Sequence, residues 1–183
     1  MDKDIFKFIL KGVVRPQLEY ASSVWAPHFI YHIEALENVQ RRSTKQVPGL
    51  SNLPYEERLK ALKIPTVTYR RLRGDMIQTY KLLHPTIGYD KTLPHFLKLS
   101  ETTKVKGLRG TSKKLYKPSH NDTIKKHEFS QRIITNWNSL PENIVSAKDV
   151  WDFEKRLDAH WADQPIMYDT YKGDIVHRNR EIR

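Results

Sequence analysis

The 183-residue chain contains no cysteine. This absence excludes disulfide bonds, thiol nucleophiles and every zinc motif that uses cysteine ligands, including zinc knuckles. The longest apolar runs are far shorter than the roughly 18 residues that span a bilayer, so no membrane partner is expected. The beginning of the chain, MDKDIFKFILKGV, has no secretory pattern. We therefore expect a nuclear or cytoplasmic protein.

The sequence also lacks the motifs of common enzyme classes. No two of its eleven aspartates are adjacent, G-x-S-x-G does not occur, and GLRGTSKK does not have the spacing of a phosphate-binding loop. His28 and His32 are four residues apart, but the glutamate of H-E-x-x-H and a nearby third ligand are missing, which favours surface histidines over a metal site. We expect no catalytic residue, metal, cofactor or small-molecule substrate.

Positive charge is what the sequence has in excess. Lysine and arginine total 32 against 21 acidic residues, which gives a net charge of +11. Such an excess is typical of proteins with an anionic partner, more often nucleic acid than a membrane surface. The alternative is a soluble domain that happens to be basic, because net charge determines association and not fold.

Apolar residues recur at helical spacing along the first 85 residues, which predicts a mainly α fold with one helical bundle there. The predicted helices cover residues 4–13, 16–26, 31–47, 54–62 and 66–83. In VRPQLEYASSVWAP, Pro16 is expected to begin a helix that packs through Tyr20 and Trp25. The inner positions expected for that helix are Leu18, Ala21, Val24 and Trp25. For the next helix they are Ile33, Leu36, Val39 and Val47, and for the longest helix Tyr69, Leu72, Met76, Tyr80 and Leu83.

Glycine and proline interrupt residues 86–126, where we expect a basic irregular connector with one short strand at 114–117. A C-terminal pair of helices is expected within 127–163. Its inner positions are Phe129, Ile133, Trp137 and Leu140 in the first helix, and Val150, Phe153, Leu157 and Trp161 in the second. Ser146 is expected to begin the second helix, with Asp149 completing a capping box. The polar tail, 164–183, is expected to be exposed.

Three basic clusters are the candidate nucleic-acid contacts, because lysine and arginine neutralise phosphates. Between Lys104 and Lys126, eight basic residues face a single acid, Asp122. Tyr116 is the best candidate there for stacking on a base. In the helices, pairing of Arg41 with Glu37 and of Arg71 with Asp75 is the structural alternative. The clusters are Arg41, Arg42 and Lys45; Arg70, Arg71 and Arg73; and Lys104, Lys106, Arg109, Lys113 and Lys114.

The chain resembles the region downstream of the catalytic domain in jockey-like, non-LTR (LINE-type) retrotransposon reverse transcriptases. The resemblance covers residues 5–163 in unchanged order. The segments that carry it are VVRPQLEYASSVWAPH, HIEALENVQRRSTKQVPGL, LPYEERLKAL, RRLRGDMIQTYKLLH, RGTSKKLYKP and FSQRIITNWNSLPENIVSAKDVWDFEKRLDAHW.

The resemblance implies a thumb-like bundle at 1–85 that holds RNA or an RNA–DNA template–primer duplex, followed by a basic segment that helps to hold RNA. The family's polymerase reaction uses an aspartate pair in a palm domain, which this sequence lacks. We therefore expect a non-catalytic, nucleic-acid-binding fragment of a transposable element, with the missing palm as a possible protein partner. The alternative is a helical protein-interaction module, or an inert transposon remnant without a nucleic-acid function.

Overall fold

The computed structural model describes residues 2–84, 93–100, 111–118 and 127–169. Their backbone is mainly helical, as predicted. A π-helical turn (Leu10–Val14) separates the first two helices, and a 3₁₀ turn (Pro165–Met167) follows the last. The helices are α1 (Lys3–Ile9), α2 (Arg15–Glu19), α3 (Ile30–Lys45), α4 (Tyr55–Leu62), α5 (Val67–Leu83), α6 (Phe129–Ser139), α7 (Glu142–Val145) and α8 (Val150–His160).

The described residues group into two compact units. The first unit contains residues 2–22, 27–73 and 164–169, and the second contains 23–26, 74–84, 93–100, 111–118 and 127–163. This grouping differs from the predicted division into 1–85, 86–126, 127–163 and 164–183, because α5 contributes residues to both units. The tail expected to be exposed also belongs partly to the first unit, where Ile166 is buried and its carbonyl accepts a hydrogen bond from Thr66 Oγ1 at 2.7 Å.

The predicted helix start near Pro16 is confirmed, since α2 begins at Arg15 with Pro16 in its first turn, but the predicted interruption of the helical backbone before it is wrong. Helical backbone continues from Lys3 to Glu19 through the π-helical turn, in which the Arg15 N–H bonds to the Leu10 carbonyl. A proline inside an α-helix has no N–H to donate, and its ring clashes with the carbonyl four residues earlier. The π-helical turn directly before Pro16 widens the helix at this point, which gives the proline ring room.

The prediction that Tyr20 and Trp25 pack a second helix is also wrong. α2 ends at Glu19, and Ala21 adopts a left-handed conformation with φ 49°. As a result Leu18 is buried, whereas Tyr20, Val24 and Trp25 are 77%, 83% and 44% exposed.

Two helical segments build the apolar core of the first unit, together with the loop between α3 and α4. Phe6 and Leu10 supply the inward side of the N-terminal helix, and α4 supplies Leu59 and Leu62. α4 lies where its periodicity predicted it, and it ends at Lys63 in the left-handed conformation. The core cluster consists of Phe6, Leu10, Val47, Leu50, Leu59, Leu62 and Ile64.

The buried side of α3 is polar, which corrects the predicted apolar side. Glu37, Gln40 and Thr44 are the buried residues of this helix, while Val39 is 42% exposed. Glu37 accepts hydrogen bonds from the Tyr55 hydroxyl at 2.5 Å and from the Val67 amide at 3.0 Å. Its carboxylate thereby caps the first turn of α5, where amide groups have no partner within the helix.

The second unit buries the aromatic and aliphatic positions that periodicity predicted for the later helices. Met76 and Tyr80 of α5, Trp137 of α6 and Phe153 of α8 are all completely buried. The Tyr80 hydroxyl donates to the Ala147 carbonyl at 2.6 Å, and its ring stacks on Phe153 at a centroid distance of 4.4 Å. α6 and α8 are therefore confirmed as a helical pair in this unit.

The start of α8 differs from the prediction. Asp149, and not Ser146, is the cap: its Oδ1 accepts the Asp152 amide at 2.7 Å, and Asp152 Oδ2 accepts the Lys148 amide at 3.2 Å. Asp149 is three residues closer than Ser146 to the apolar positions of this helix. Its carboxylate accepts a first-turn amide directly, so the helix begins at Val150.

Candidate nucleic-acid interface

The basic cluster on α3 is exposed at two of its three residues. Arg42 and Lys45 are exposed in the last turns of the helix. Positive charge there also stabilises the helix, because the carbonyl end of a helix attracts cations. Arg41 is half-buried; it donates to Asn38 Oδ1 at 2.9 Å, and its guanidinium carbon lies 5.1 Å from the centre of the Tyr55 ring.

Two of the three arginines of the basic cluster on α5 donate hydrogen bonds to other residues of the first unit. Arg70 donates two hydrogen bonds to the Glu19 carboxylate, at 2.9 and 2.8 Å. Arg71 is buried and donates to the Leu18 carbonyl at 2.7 Å. Arg73 is half-buried. Arg70 and Arg71 thus hold the C-terminal end of α2 against α5, which is a structural use of their charge.

In the connector, Lys104, Lys106 and Arg109 lie outside the described residues. Lys113 is described and takes part in packing of the second unit. Its Nζ donates to the Leu83 carbonyl at the end of α5, at 3.3 Å, and its own carbonyl accepts the Trp137 indole N–H at 2.9 Å. Burial lowers the pKa of Lys113.

Lys114 and Tyr116 belong to the short extended segment that pairs with residues 98–100. The pairing is a single antiparallel bridge between Leu99 and Leu115, and no strand forms in the described part of the chain, so the predicted strand at 114–117 is reduced to one bridge. The Tyr116 amide donates to the Lys98 carbonyl at 2.8 Å, which places these two residues opposite each other.

Alternation along the bridge separates a buried side from an exposed one. Leu115 is buried, so its neighbours Lys114 and Tyr116 lie on the opposite face, as does Lys98 across the bridge. Tyr116 is 39% exposed. We call these three residues, Lys98, Lys114 and Tyr116, together with the exposed Lys117 that directly follows Tyr116 in the chain, the bridge patch.

α6 fixes the backbone of the bridge patch. The Leu115 amide donates to Asn138 Oδ1 and the Asn138 amide group donates back to the Leu115 carbonyl, both at 2.8 Å. Lys117 Nζ lies 3.2 Å from Thr135 Oγ1 on the same helix. A patch on a fixed backbone presents its side chains from defined backbone positions before a ligand arrives, which reduces the ordering cost of binding.

The carboxylate of Glu142 on α7 is bonded to Ser112, which lies two residues before Lys114 of the bridge patch. Glu142 accepts hydrogen bonds from the Ser112 amide at 2.8 Å and from the Ser112 hydroxyl at 2.7 Å. These bonds hold the pKa of Glu142 below its ordinary value, so it is ionised at neutral pH. The combination of one exposed ring with several ammonium groups can stack on a base while it neutralises the neighbouring phosphates.

No protein-family model, curated protein or solved structure matches the chain. The geometry of its own residues therefore carries the functional argument.

Sequence reasoning missed two members of the bridge patch, Lys98 and Lys117. Lys98 precedes the basic stretch by several residues, and its place opposite Tyr116 depends on a pairing across 18 residues of sequence. Lys117 lies within the predicted strand, and the alternation of that segment gave no reason to select it. A search of the sequence for lysines adjacent to Tyr116 would have found Lys117 but not Lys98.

A shallow groove of about 410 Å³ in the second unit has Val24, Phe96 and Phe129 among its lining residues, and among the described residues that line it the charged one is acidic, Glu128. It is poorly suited to a polyanion. In the described ranges, no three His, Asp or Glu side chains come together as metal ligands, and no helix is long and apolar enough to cross a membrane.

The N-terminal helix carries a second exposed feature, which is apolar. Four side chains on its outer side are between 40% and 79% exposed, and the largest value belongs to Phe8. We call them the N-terminal apolar stripe: Ile5, Phe8, Ile9 and Val13. A helix with apolar side chains on its inner and outer sides is typical of a helix that is covered by a partner.

Proposed function

We propose that the chain is a non-catalytic module that binds RNA or an RNA–DNA duplex, and that the bridge patch makes the principal contact. The observation that carries the proposal is the position of Tyr116, which is exposed and lies opposite Lys98 with Lys114 two residues away on the same face. Arg42 and Lys45 of α3 add exposed positive charge in the first unit.

The chemistry of the bridge patch favours binding that tolerates any base sequence. Ammonium groups recognise phosphates, which every nucleotide carries, and a tyrosine ring stacks on any base. Each phosphate contact releases counterions, so the logarithm of the affinity falls by roughly 0.7 to 0.9 for each contact per logarithmic unit of salt. Three lysines at the patch predict a slope of about −2 to −3 from this surface.

The resemblance to the region after the palm of a LINE-type reverse transcriptase supports the same proposal. In that family the corresponding region is expected to hold the template, while an aspartate pair elsewhere performs the reaction. A module of this kind binds the polymerase's substrate and has no polymerase activity of its own.

Fluorescence anisotropy with a labelled single-stranded RNA and a labelled RNA–DNA duplex tests the proposal. The double variant Lys98→Glu/Lys114→Glu should lose affinity about tenfold or more for all sequences alike, because two attractive contacts become repulsive. The matched control is Lys148→Glu, an exposed lysine of the same unit outside the patch. Equal losses for the variant and for the control, counted per charge, would show that only net charge matters.

The N-terminal apolar stripe favours a second candidate, a helical protein-interaction module. Apolar side chains of this size at the surface are typical of a protein interface, and the palm domain of the polymerase is the partner that the resemblance suggests. Sedimentation of the free chain tests this candidate. Self-association that Phe8→Ser abolishes and Lys11→Ser does not would support it, whereas a monomer that binds no RNA would favour an inert transposon remnant.

A further inference from the structure

Arg58 is a buried arginine of α4 whose charge has no carboxylate or carbonyl partner among the described residues. The residue is 2% exposed. Two of its guanidinium nitrogens, Nε and Nη1, are buried and make no hydrogen bond within the described part of the chain. Buried guanidinium groups normally use these donors fully, because leaving them unpaired after removal from water is unfavourable.

The surroundings of Arg58 increase the excess of positive charge. Its guanidinium carbon lies 5.5 Å from the centre of the Tyr55 ring, and that of Arg41 lies 5.1 Å from the same ring centre. Two cations that share one aromatic ring are attracted by it but repel each other. Burial, partly offset by Tyr55 and reinforced by Arg41, lowers the pKa of Arg58, although an arginine stays protonated at neutral pH.

Glu37, the carboxylate that is hydrogen-bonded to Tyr55, already has other partners. It accepts the Tyr55 hydroxyl and the amides of Val67 and Thr68 at the start of α5. Tyr55 in turn accepts a hydrogen bond from Gln40 at 3.1 Å. The polar cluster around Tyr55 therefore contains two arginines whose guanidinium groups lie over its ring. It also contains one carboxylate, which caps the start of α5.

We propose that Arg58 and Arg41 form an oxyanion site that takes a phosphate group. A guanidinium donates N–H groups to the oxygens of a phosphate, and two donor nitrogens of Arg58, Nε and Nη1, have no hydrogen-bond partner among the described residues. Arg41, the other arginine over the Tyr55 ring, is half-buried. The phosphate comes either from free inorganic phosphate or from a nucleic-acid backbone. This site lies in the first unit and does not depend on the bridge patch.

Thermal unfolding in sodium phosphate and in sodium chloride, at equal ionic strength and pH, tests the site. The wild-type melting temperature should rise saturably with phosphate, by about 3 °C or more at ten times the dissociation constant. Arg58→Met keeps most of the side-chain volume and should not show the saturable rise. It should also unfold at the same or a higher temperature than the wild type without phosphate, since it removes an unpaired buried charge.

Two controls separate this effect from general salt effects. Lys60→Met removes an exposed charge from the same helix and should keep the wild-type response to phosphate. Phosphate also strengthens apolar burial in any protein, and the response of Arg58→Met measures that part. If Arg58→Met does not fold, Arg41→Met takes its place and should weaken the phosphate response at least threefold in dissociation constant.

RNA-binding measurements on the wild type and on Arg58→Met identify the source of the phosphate. Weaker RNA binding by Arg58→Met, together with competition by inorganic phosphate, assigns the site to backbone phosphate. Unchanged RNA binding with a phosphate-dependent melting temperature assigns it to free phosphate. Equal responses of the wild type and Arg58→Met to phosphate would overturn the site and leave water as the partner of Arg58. RNA binding through the bridge patch could still stand in that case.

Discussion

The basic residues of α5 and those of the bridge patch have opposite surroundings, although Arg70, Arg71 and Lys114 all belong to basic clusters of the sequence. Arg70 and Arg71 point into the first unit, where Glu19 and the Leu18 carbonyl bind them. Lys98 and Lys114 lie on the outward side of a bridge whose inward residue is Leu115. Positive charge in a sequence therefore becomes a binding surface only where the backbone keeps it away from carboxylates and carbonyls. Arginine, with five donors, is readily used inside a fold, whereas lysine is rarely buried.

The largest expected effect is on stability and comes from Glu37 in the first unit. Glu37→Ala removes the acceptor for the Tyr55 hydroxyl and for the first amides of α5, so we expect a loss of about 3 to 5 kcal/mol in the free energy of unfolding. Urea denaturation measures it. Glu34→Ala, an exposed residue of the same helix, should stay within about 0.5 kcal/mol of the wild type. Similar small losses in both variants would contradict the capping role.

Arg71 should show that the α5 cluster is structural. Arg71→Ala leaves the Leu18 carbonyl without its buried donor, and we expect a loss of about 2 kcal/mol in the free energy of unfolding. RNA affinity of the folded variant should change by less than twofold. The exposed Arg42→Ala is the control and should leave stability within about 0.5 kcal/mol. Strong loss of RNA affinity in Arg71→Ala at unchanged stability would move the nucleic-acid contact to α5.

A stacking role for Tyr116 predicts an intermediate effect on binding and little effect on stability. Tyr116→Ala should weaken single-stranded RNA binding by about 1 to 2 kcal/mol, measured by anisotropy, because one base loses its stacking partner. The ring is 39% exposed, so its removal should cost the fold little. Tyr116→Phe keeps the ring and should bind like the wild type. An equal loss in Tyr116→Phe would point to the hydroxyl instead of the ring.

The smallest expected effect is a dependence of stability on pH that comes from Glu37. Burial raises the pKa of its carboxyl, so the folded chain holds this proton more tightly than the unfolded chain. Stability from this group is complete below the unfolded pKa, near 4.5, and decreases as pH rises through the folded pKa above it. Urea denaturation at several pH values in that window should show that the free energy of unfolding of the wild type decreases as pH rises. Glu37→Gln should not show this decrease. Parallel curves would assign the pH dependence to other groups.

The fold was predictable where local periodicity decides it. The apolar spacing of α4, α5, α6 and α8 predicted these helices, and their inward residues, such as Met76 and Trp137, are buried. The predicted interruption before Pro16 does not occur, because a π-helical turn keeps the backbone helical up to α2, and periodicity contains no sign of that turn. Prediction failed at Ile166 because the partner, Thr66, is 100 residues away in sequence.

The candidate sites were less predictable than the helices, because they depend on contacts between distant segments. The spacing of Glu37 and Arg41 allows an ion pair along α3, but the hydrogen-bond partners of Glu37 are 18 to 31 residues further on. Tyr116 and Lys114, which the sequence predicts as nucleic-acid contacts, are exposed and half-buried, respectively, and lie on one face of the bridge. Their partner Lys98, and the unpaired Arg58, could be found only once the bridge and the α3–α4 packing were known.

The salt dependence of RNA affinity tests the central proposal most directly. Anisotropy titrations between 50 and 300 mM salt should give a linear fall of log affinity with log salt for the wild type. Lys98→Ala/Lys114→Ala should reduce the slope by about 1.5 to 2, since two phosphate contacts are lost. Lys148→Ala should leave the slope unchanged. An identical slope for the wild type and the double variant would contradict the assignment of RNA binding to the bridge patch.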